Sequence, residues 1–86
     1  MTAKTRSMFL EVITPEKITY QGEVGLVQMP GKMGSFEVLH NHAPIAALLD
    51  SGRVKVIDAV RNIIYLDIAK GLVHVKNNRI TIITQN

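Results

Sequence analysis

The residues best able to do chemistry gather in one span, Met29-Pro-Gly-Lys-Met-Gly-Ser-Phe-Glu-Val-Leu-His-Asn-His-Ala-Pro-Ile45. His40 and His42 lie two apart. On an extended segment they would point the same way, as metal ligands can. Glu37 is the nearby carboxylate, and His74 is distant in sequence. A zinc site takes three or four ligands, so this set is incomplete, and loop capping or partner contact is the commoner use of such histidines. Gly31-Lys32-Met33-Gly34-Ser35 superficially resembles a phosphate-binding loop. It lacks the spacing before a Gly-Lys-Ser/Thr end, and no helical pattern follows to offer an N-terminus. Ser35 and Ser51 are the serines in loop positions near a histidine, and neither has the strand-turn-helix setting of a hydrolase nucleophile. Asp50, Asp58 and Asp67 fall at expected turns or strand ends, where aspartate caps or is solvated. The chain has no cysteine, which excludes disulfides, thiolate metal sites and a cysteine nucleophile. The expectation is a protein with no catalytic residue and no metal or cofactor site.

The elements that hold this span read as strands. Gly31 and Gly34 permit tight bends, Pro30 and Pro44 fix φ, and Pro44 pushes Ala43 towards extended geometry. Phe36 and Val38 share one side of a short strand, with Ser35, Glu37 and Leu39 on the other. Met8 to Thr14 carries apolar residues on both faces. Ile18 to Tyr20 and Glu23 to Met29 read as separate strands divided at Gln21-Gly22, with Val24 and Leu26 on one face and Gly25 marking a bulge or a close neighbour. Ile45 to Leu49, Arg53 to Asp58 and Ile63 to Ala69 follow, and the span Ala43 to Asp50 is the best place for a single helical turn. Leu72 to Lys76 and Arg79 to Thr84 form a hairpin about Asn77-Asn78, because asparagine accepts the left-handed conformation of a type I′ turn.

The whole is expected to be all-β: an antiparallel β-sandwich of about ten short strands, forming a single domain over 86 residues, with residues 1–7 a flexible tail. The 47% apolar content supplies a core, and its aliphatic, β-branched character suits strands. The net charge of +3 comes from scattered basic residues, without the clustering and exposed aromatics of a nucleic-acid binder. No apolar run approaches the roughly 20 residues needed to span a bilayer as a helix. Met29, Met33, Leu39 and Ile45 give the central span more apolar surface than a loop needs. Two uses stay open for them: closing the ends of the sandwich, or burial against another protein.

Several segments, in order, resemble one family. They are Thr14-Pro15-Glu16, Tyr20-Gln21-Gly22-Glu23-Val24, Pro30 to Phe36, His42-Ala43-Pro44-Ile45, Ser51-Gly52-Arg53-Val54, Gly71 to Val75 and Asn78 to Ile82. Together they resemble the N-terminal domain of the F-type ATP synthase epsilon subunit. The resemblance implies a ten-stranded β-sandwich at the foot of the central stalk, a non-catalytic rotor subunit at the cytoplasmic face of the bacterial inner membrane. Its implied partners are the gamma subunit and the polar loops of the c-ring, with no nucleic acid and with membrane contact only through the complex. The implied contact residues are Met33, Gly34, Ser35, Phe36, Glu37, His40, Asn41, His42, Ala43 and Pro44. Family members often carry an acidic residue around Met33 or Ser35, whereas both positions are uncharged here. Glu37 stands where glycine is common, Asn41 where glycine is usual and His40 where proline is common. The family's C-terminal helical hairpin, which can bind ATP, has no counterpart in these residues, so no ATP site is expected. The alternative reading is a stand-alone β-sandwich that binds a ligand or another protein.

Overall fold

A computed structural model describes residues 7–85. Of the expected flexible tail, residues 1–6 lie outside the described residues; Ser7 is inside them, and its Oγ donates to Glu23 Oε1 at 3.1 Å. Eight strands make up the fold: β1 (Met8–Ile13), β2 (Ile18–Gly31), β3 (Gly34–Leu39), β4 (Ile45–Leu49), β5 (Gly52–Asp58), β6 (Ile63–Ile68), β7 (Gly71–Lys76) and β8 (Arg79–Thr84). No helix occurs among the described residues, and the span favoured for a helical turn contains β4 instead. Every pairing is antiparallel except that of β1 with β8, which is parallel.

The nine strand segments read from the sequence become eight because two expected strands are one. Gln21 and Gly22 do not end a strand; they pair with Glu11 and Leu10 of β1, and β2 runs on for 14 residues. Its first half pairs with β1 and its second half with β3 and β5. The path β1-β8-β7-β4-β2-β5-β6 is thus one continuous sheet. It must double over, because one face of every strand contributes to a single apolar cluster that includes Leu10, Val27, Val38, Val56, Val73 and Ile80. Such an interior is close-packed and deforms little.

Gly25 is a bulge, as its strand-interior position suggested: Val24 pairs with Asp58 while Leu26 pairs with Ile57. The extra residue changes the phase of the strand. Val24, Val27 and Met29 are buried, while Leu26, expected to share the face of Val24, is only half-buried. The hairpin about Asn77-Asn78 forms as expected, with both residues at positive φ (53° and 60°) and with Val73 opposite Ile82 and Val75 opposite Ile80. Between β6 and β7 the chain must pass very close to β8. A Cβ on Gly71 would lie 2.1 Å from the Ile83 carbonyl oxygen, so only glycine fits there. Thr84, buried at the same place, donates its hydroxyl to Ala69 O at 3.1 Å. No buried polar side-chain atom among the described residues is left without a partner.

Candidate functional site

Lys32 and Met33 form the two-residue turn between β2 and β3, with Gly31 opposite Gly34. Gly34 has φ +129°, a left-handed region that favours glycine. Gly31 is needed for a different reason: a Cβ there would meet Gly34 O at 2.6 Å and the Phe36 ring at 2.8 Å. Phe36 therefore lies over the hairpin and packs partly on the core. Lys32 N donates to Leu48 O (3.0 Å) and Asp50 N to Pro30 O (2.8 Å), tying the hairpin tip to β4. Met33 is 99% exposed at this tip, beside a shallow hollow lined by Phe36, Ala46 and Leu48.

The other half of the expected contact surface lies at the opposite end of β3. His42 N donates to Leu39 O at 3.0 Å, closing a turn whose third residue, Asn41, has φ 64°. That position takes glycine or asparagine, which explains how asparagine serves here. The backbone through His40 and His42 is therefore a turn, as expected of a loop, and not the extended segment on which both rings would point the same way. Asn41 N donates to Asn78 Oδ1 at 2.7 Å, and Asn78 Nδ2 donates to Asn41 Oδ1 at 3.1 Å. The β3–β4 loop is thereby pinned to the β7–β8 turn. His42 Nδ1 sits 2.7 Å from Ala43 O; a carbonyl only accepts, so Nδ1 carries the proton and donates. Gly34 and Ser35 thus sit beside Met33, Glu37 projects from the exposed side of β3, and His40, Asn41, His42, Ala43 and Pro44 form a separate cluster. Six strand residues separate the two ends, about 17 Å at the usual rise.

The four apolar candidates divide between the two uses left open for them. Met29 is core, Ile45 half-buried, and Met33 and Leu39 exposed. The larger apolar feature comes from register. Leu48 sits beside Leu72, Leu72 beside Ile83, Ile83 beside Ile13, and Ile13 beside Ile18. The next row in the same ladders, Ala47, Val73, Ile82, Val12 and Tyr20, points into the core, so the first row lies on the outer face. Leu48 is 59% and Leu72 42% exposed, and Ile83 and Ile18 are also exposed. This row spans four strand spacings, about 19 Å. Sequence reading missed it because each member is simply the second apolar face of its own strand. Only the pairing register shows that they line up.

The remaining ionisable residues are used in turns or on the surface. Asp58 Oδ1 accepts from Asn62 N (2.8 Å) and Val60 N (2.9 Å), and Oδ2 from Asn62 Nδ2 (3.1 Å). Hydrogen bonding, that from the Asn62 backbone first, holds this carboxyl below the usual aspartate range against a smaller opposing effect of desolvation. Asp67 Oδ1 lies 3.5 Å from Arg53 Nε on the surface, and the Arg53 guanidinium lies 5.3 Å from the Tyr65 ring centre. Burial, helped by Asp58, raises the Tyr20 phenol above its ordinary value. Among the described residues no group of three or more His, Asp or Glu side chains could hold a metal ion. No helix among the described residues is long and apolar enough to cross a membrane.

Comparison with known proteins gives this arrangement a family. The family described as "ATP synthase, Delta/Epsilon chain, beta-sandwich domain" matches residues 7–86. An ATP synthase epsilon chain of Chlorobaculum tepidum is 34% identical over 85 residues, covering 99% of this chain and 97% of its own length. One from Caulobacter vibrioides is 35% identical, covering 92% and 91%. One from Leptospira interrogans is 39% identical, and there the match covers 90% of this chain but 60% of the relative. In fold, the chain is similar to a chain of the Euglena gracilis mitochondrial ATP synthase, with a TM-score of 0.87 at 20% identity, covering 93% of this chain and 51% of that one. A chain of the Tetrahymena thermophila mitochondrial ATP synthase central stalk and c-ring gives 0.77 at 19%, covering 92% and 63%. A family match across every described residue favours this reading over a stand-alone binding module. The chain belongs to the ATP synthase delta/epsilon-chain family and is its β-sandwich domain.

Proposed function

We propose that the chain is a non-catalytic central-stalk subunit of a proton-translocating F-type ATP synthase, linking the gamma subunit to the c-ring and helping couple proton flow to ATP synthesis. It would sit at the cytoplasmic face of a bacterial inner membrane, held there by the complex. The observation that carries this reading is a family β-sandwich with a filled interior whose conspicuous features are outward-facing contact surfaces. The two ends of β3 offer separate surfaces: an apolar one around Met33, Leu48 and Leu72, and a polar one around His40 to Pro44. A body with two such surfaces can join two partners. The mechanical demand on it is stiffness. One elementary charge crossing 100 mV supplies about 2.3 kcal/mol, and a yielding joint would dissipate it. A single close-packed core shared by eight strands answers that demand.

The test is affinity purification of the tagged full chain from native membranes. Gamma and c-ring should co-purify, and deleting the gene should lower coupled ATP synthesis. Recovery of the chain free of both partners, or undiminished coupling in its absence, would refute the proposal.

A further inference from the structure

The polar end of the molecule carries a charge arrangement that its own fold does not explain. On the outer face of β7 and β8, His74 is paired with Thr81 and Lys76 with Arg79. Lys76 and Arg79 are therefore like charges directly opposite each other, a placement that destabilises a sheet. Neither forms an ion pair among the described residues. Arg79 instead lies over the Phe9 ring, 4.9 Å from its centre, which fixes its guanidinium against the sheet. The nearest carboxylate by register is Glu11, opposite Thr81, and its Oε2 already accepts a hydrogen bond from Gln21 Nε2 at 3.1 Å. Between the cations lies a shallow hollow lined by His74, Lys76, Asn77, Arg79 and Thr81. The paired Asn41 and Asn78 side chains join this hairpin to the His40–Pro44 loop.

We infer that Lys76 and Arg79, with His74 beside them, form a cationic docking surface for a carboxylate-bearing protein surface, continuous with the His40–Pro44 loop. This deepens the rotor-subunit reading and rests on it. The hairpin at the far end of β3 carries a single tip charge, Lys32, beside uncharged Met33 and Ser35, whereas the β7–β8 end sets two cations, Lys76 and Arg79, against each other. An acidic partner surface there would relieve the repulsion between the two cations.

The experiment compares retention of the tagged full chain on ATP synthase at about 0.1 M and about 0.5 M salt, where screening lengths differ roughly two-fold. Wild-type retention at low salt tests the rotor reading itself; its absence refutes that reading. Given wild-type retention, Lys76→Glu should lose several-fold at low salt and little further at high salt. Lys76→Arg should behave as wild type. The melting temperature of the isolated Lys76→Glu chain should be unchanged or higher, because opposite charges then face each other. Undiminished low-salt retention of Lys76→Glu overturns the inference. So does capture of the wild type, but not of Lys76→Glu, by phosphatidylglycerol vesicles without the complex, which would reassign the surface to lipid.

Discussion

Replacing Asn41 probes the joint between the β3–β4 loop and the β7–β8 turn. Its φ of 64° lies in the left-handed region. Alanine there costs about 1 kcal/mol more than asparagine, which tolerates that region. Losing the Asn78 Nδ2 to Asn41 Oδ1 bond removes about 1 kcal/mol more. Asn41→Ala should therefore destabilise by about 2 kcal/mol. With a urea slope of about 1.5 kcal/mol/M, the midpoint falls by about 1.3 M. Asn41→Gly loses the same side-chain bond but not the backbone preference, so its midpoint should fall about half as far. The assay is urea denaturation followed by far-UV circular dichroism, with retention on ATP synthase measured in parallel. Both variants should remain folded in buffer, and both should bind less well because the loop keeps only its backbone bond, Asn41 N to Asn78 Oδ1, and is less firmly pinned. Equal midpoints for the alanine and glycine variants would refute the backbone part of the reasoning. A wild-type midpoint for both would refute the contribution of the Asn78 Nδ2 to Asn41 Oδ1 bond.

Gly71→Ala should abolish cooperative thermal unfolding or cost more than about 4 kcal/mol, since the new methyl must displace the backbone of β8. Arg61, exposed with φ 72°, invites the opposite change: Arg61→Gly should stabilise by about 0.5 kcal/mol, the relief of left-handed strain less the added freedom of glycine in the unfolded chain, read as a small rise in the urea midpoint. Asp58→Ala should lower stability at neutral pH by freeing the β5–β6 turn. Because the Asp58 pKa is depressed in the folded state, its stabilisation is present above the unfolded value of about 4 and disappears as pH falls through the lower folded value; wild type and variant should therefore converge in acid denaturation. Leu72→Asp should leave the circular dichroism spectrum intact, the residue being substantially exposed, while reducing retention on the complex if the apolar row is a contact surface.

The legible parts of the fold were those written in local chemistry. Asn77-Asn78 announced a type I′ turn and Gly25 a bulge or a close neighbour, and the turn and the bulge are where those residues put them. The illegible parts depend on which strand meets which. Gln21-Gly22 reads as a stop, but β1 supplies partners that carry the strand through it. The parallel pairing of β1 with β8 joins segments almost a chain length apart, and neither segment's pattern encodes its partner's direction. The same holds for the surface. The His40–Pro44 loop was visible as an unusual stretch, whereas its junction with Asn78 and the apolar row across β4, β7, β8, β1 and β2 arise only from register.

The long strand β2 has a consequence for how this small body bears load. Because one unbroken stretch of backbone threads both leaves of the fold, neither leaf can slide past the other without shearing ladders on both sides of it. A push on the hairpin beyond Gly31 is thus carried by covalent bonds to the strand neighbouring β1. Slow amide exchange should accordingly be lost from both leaves in a single event, as in a solid peg rather than a pair of stacked plates.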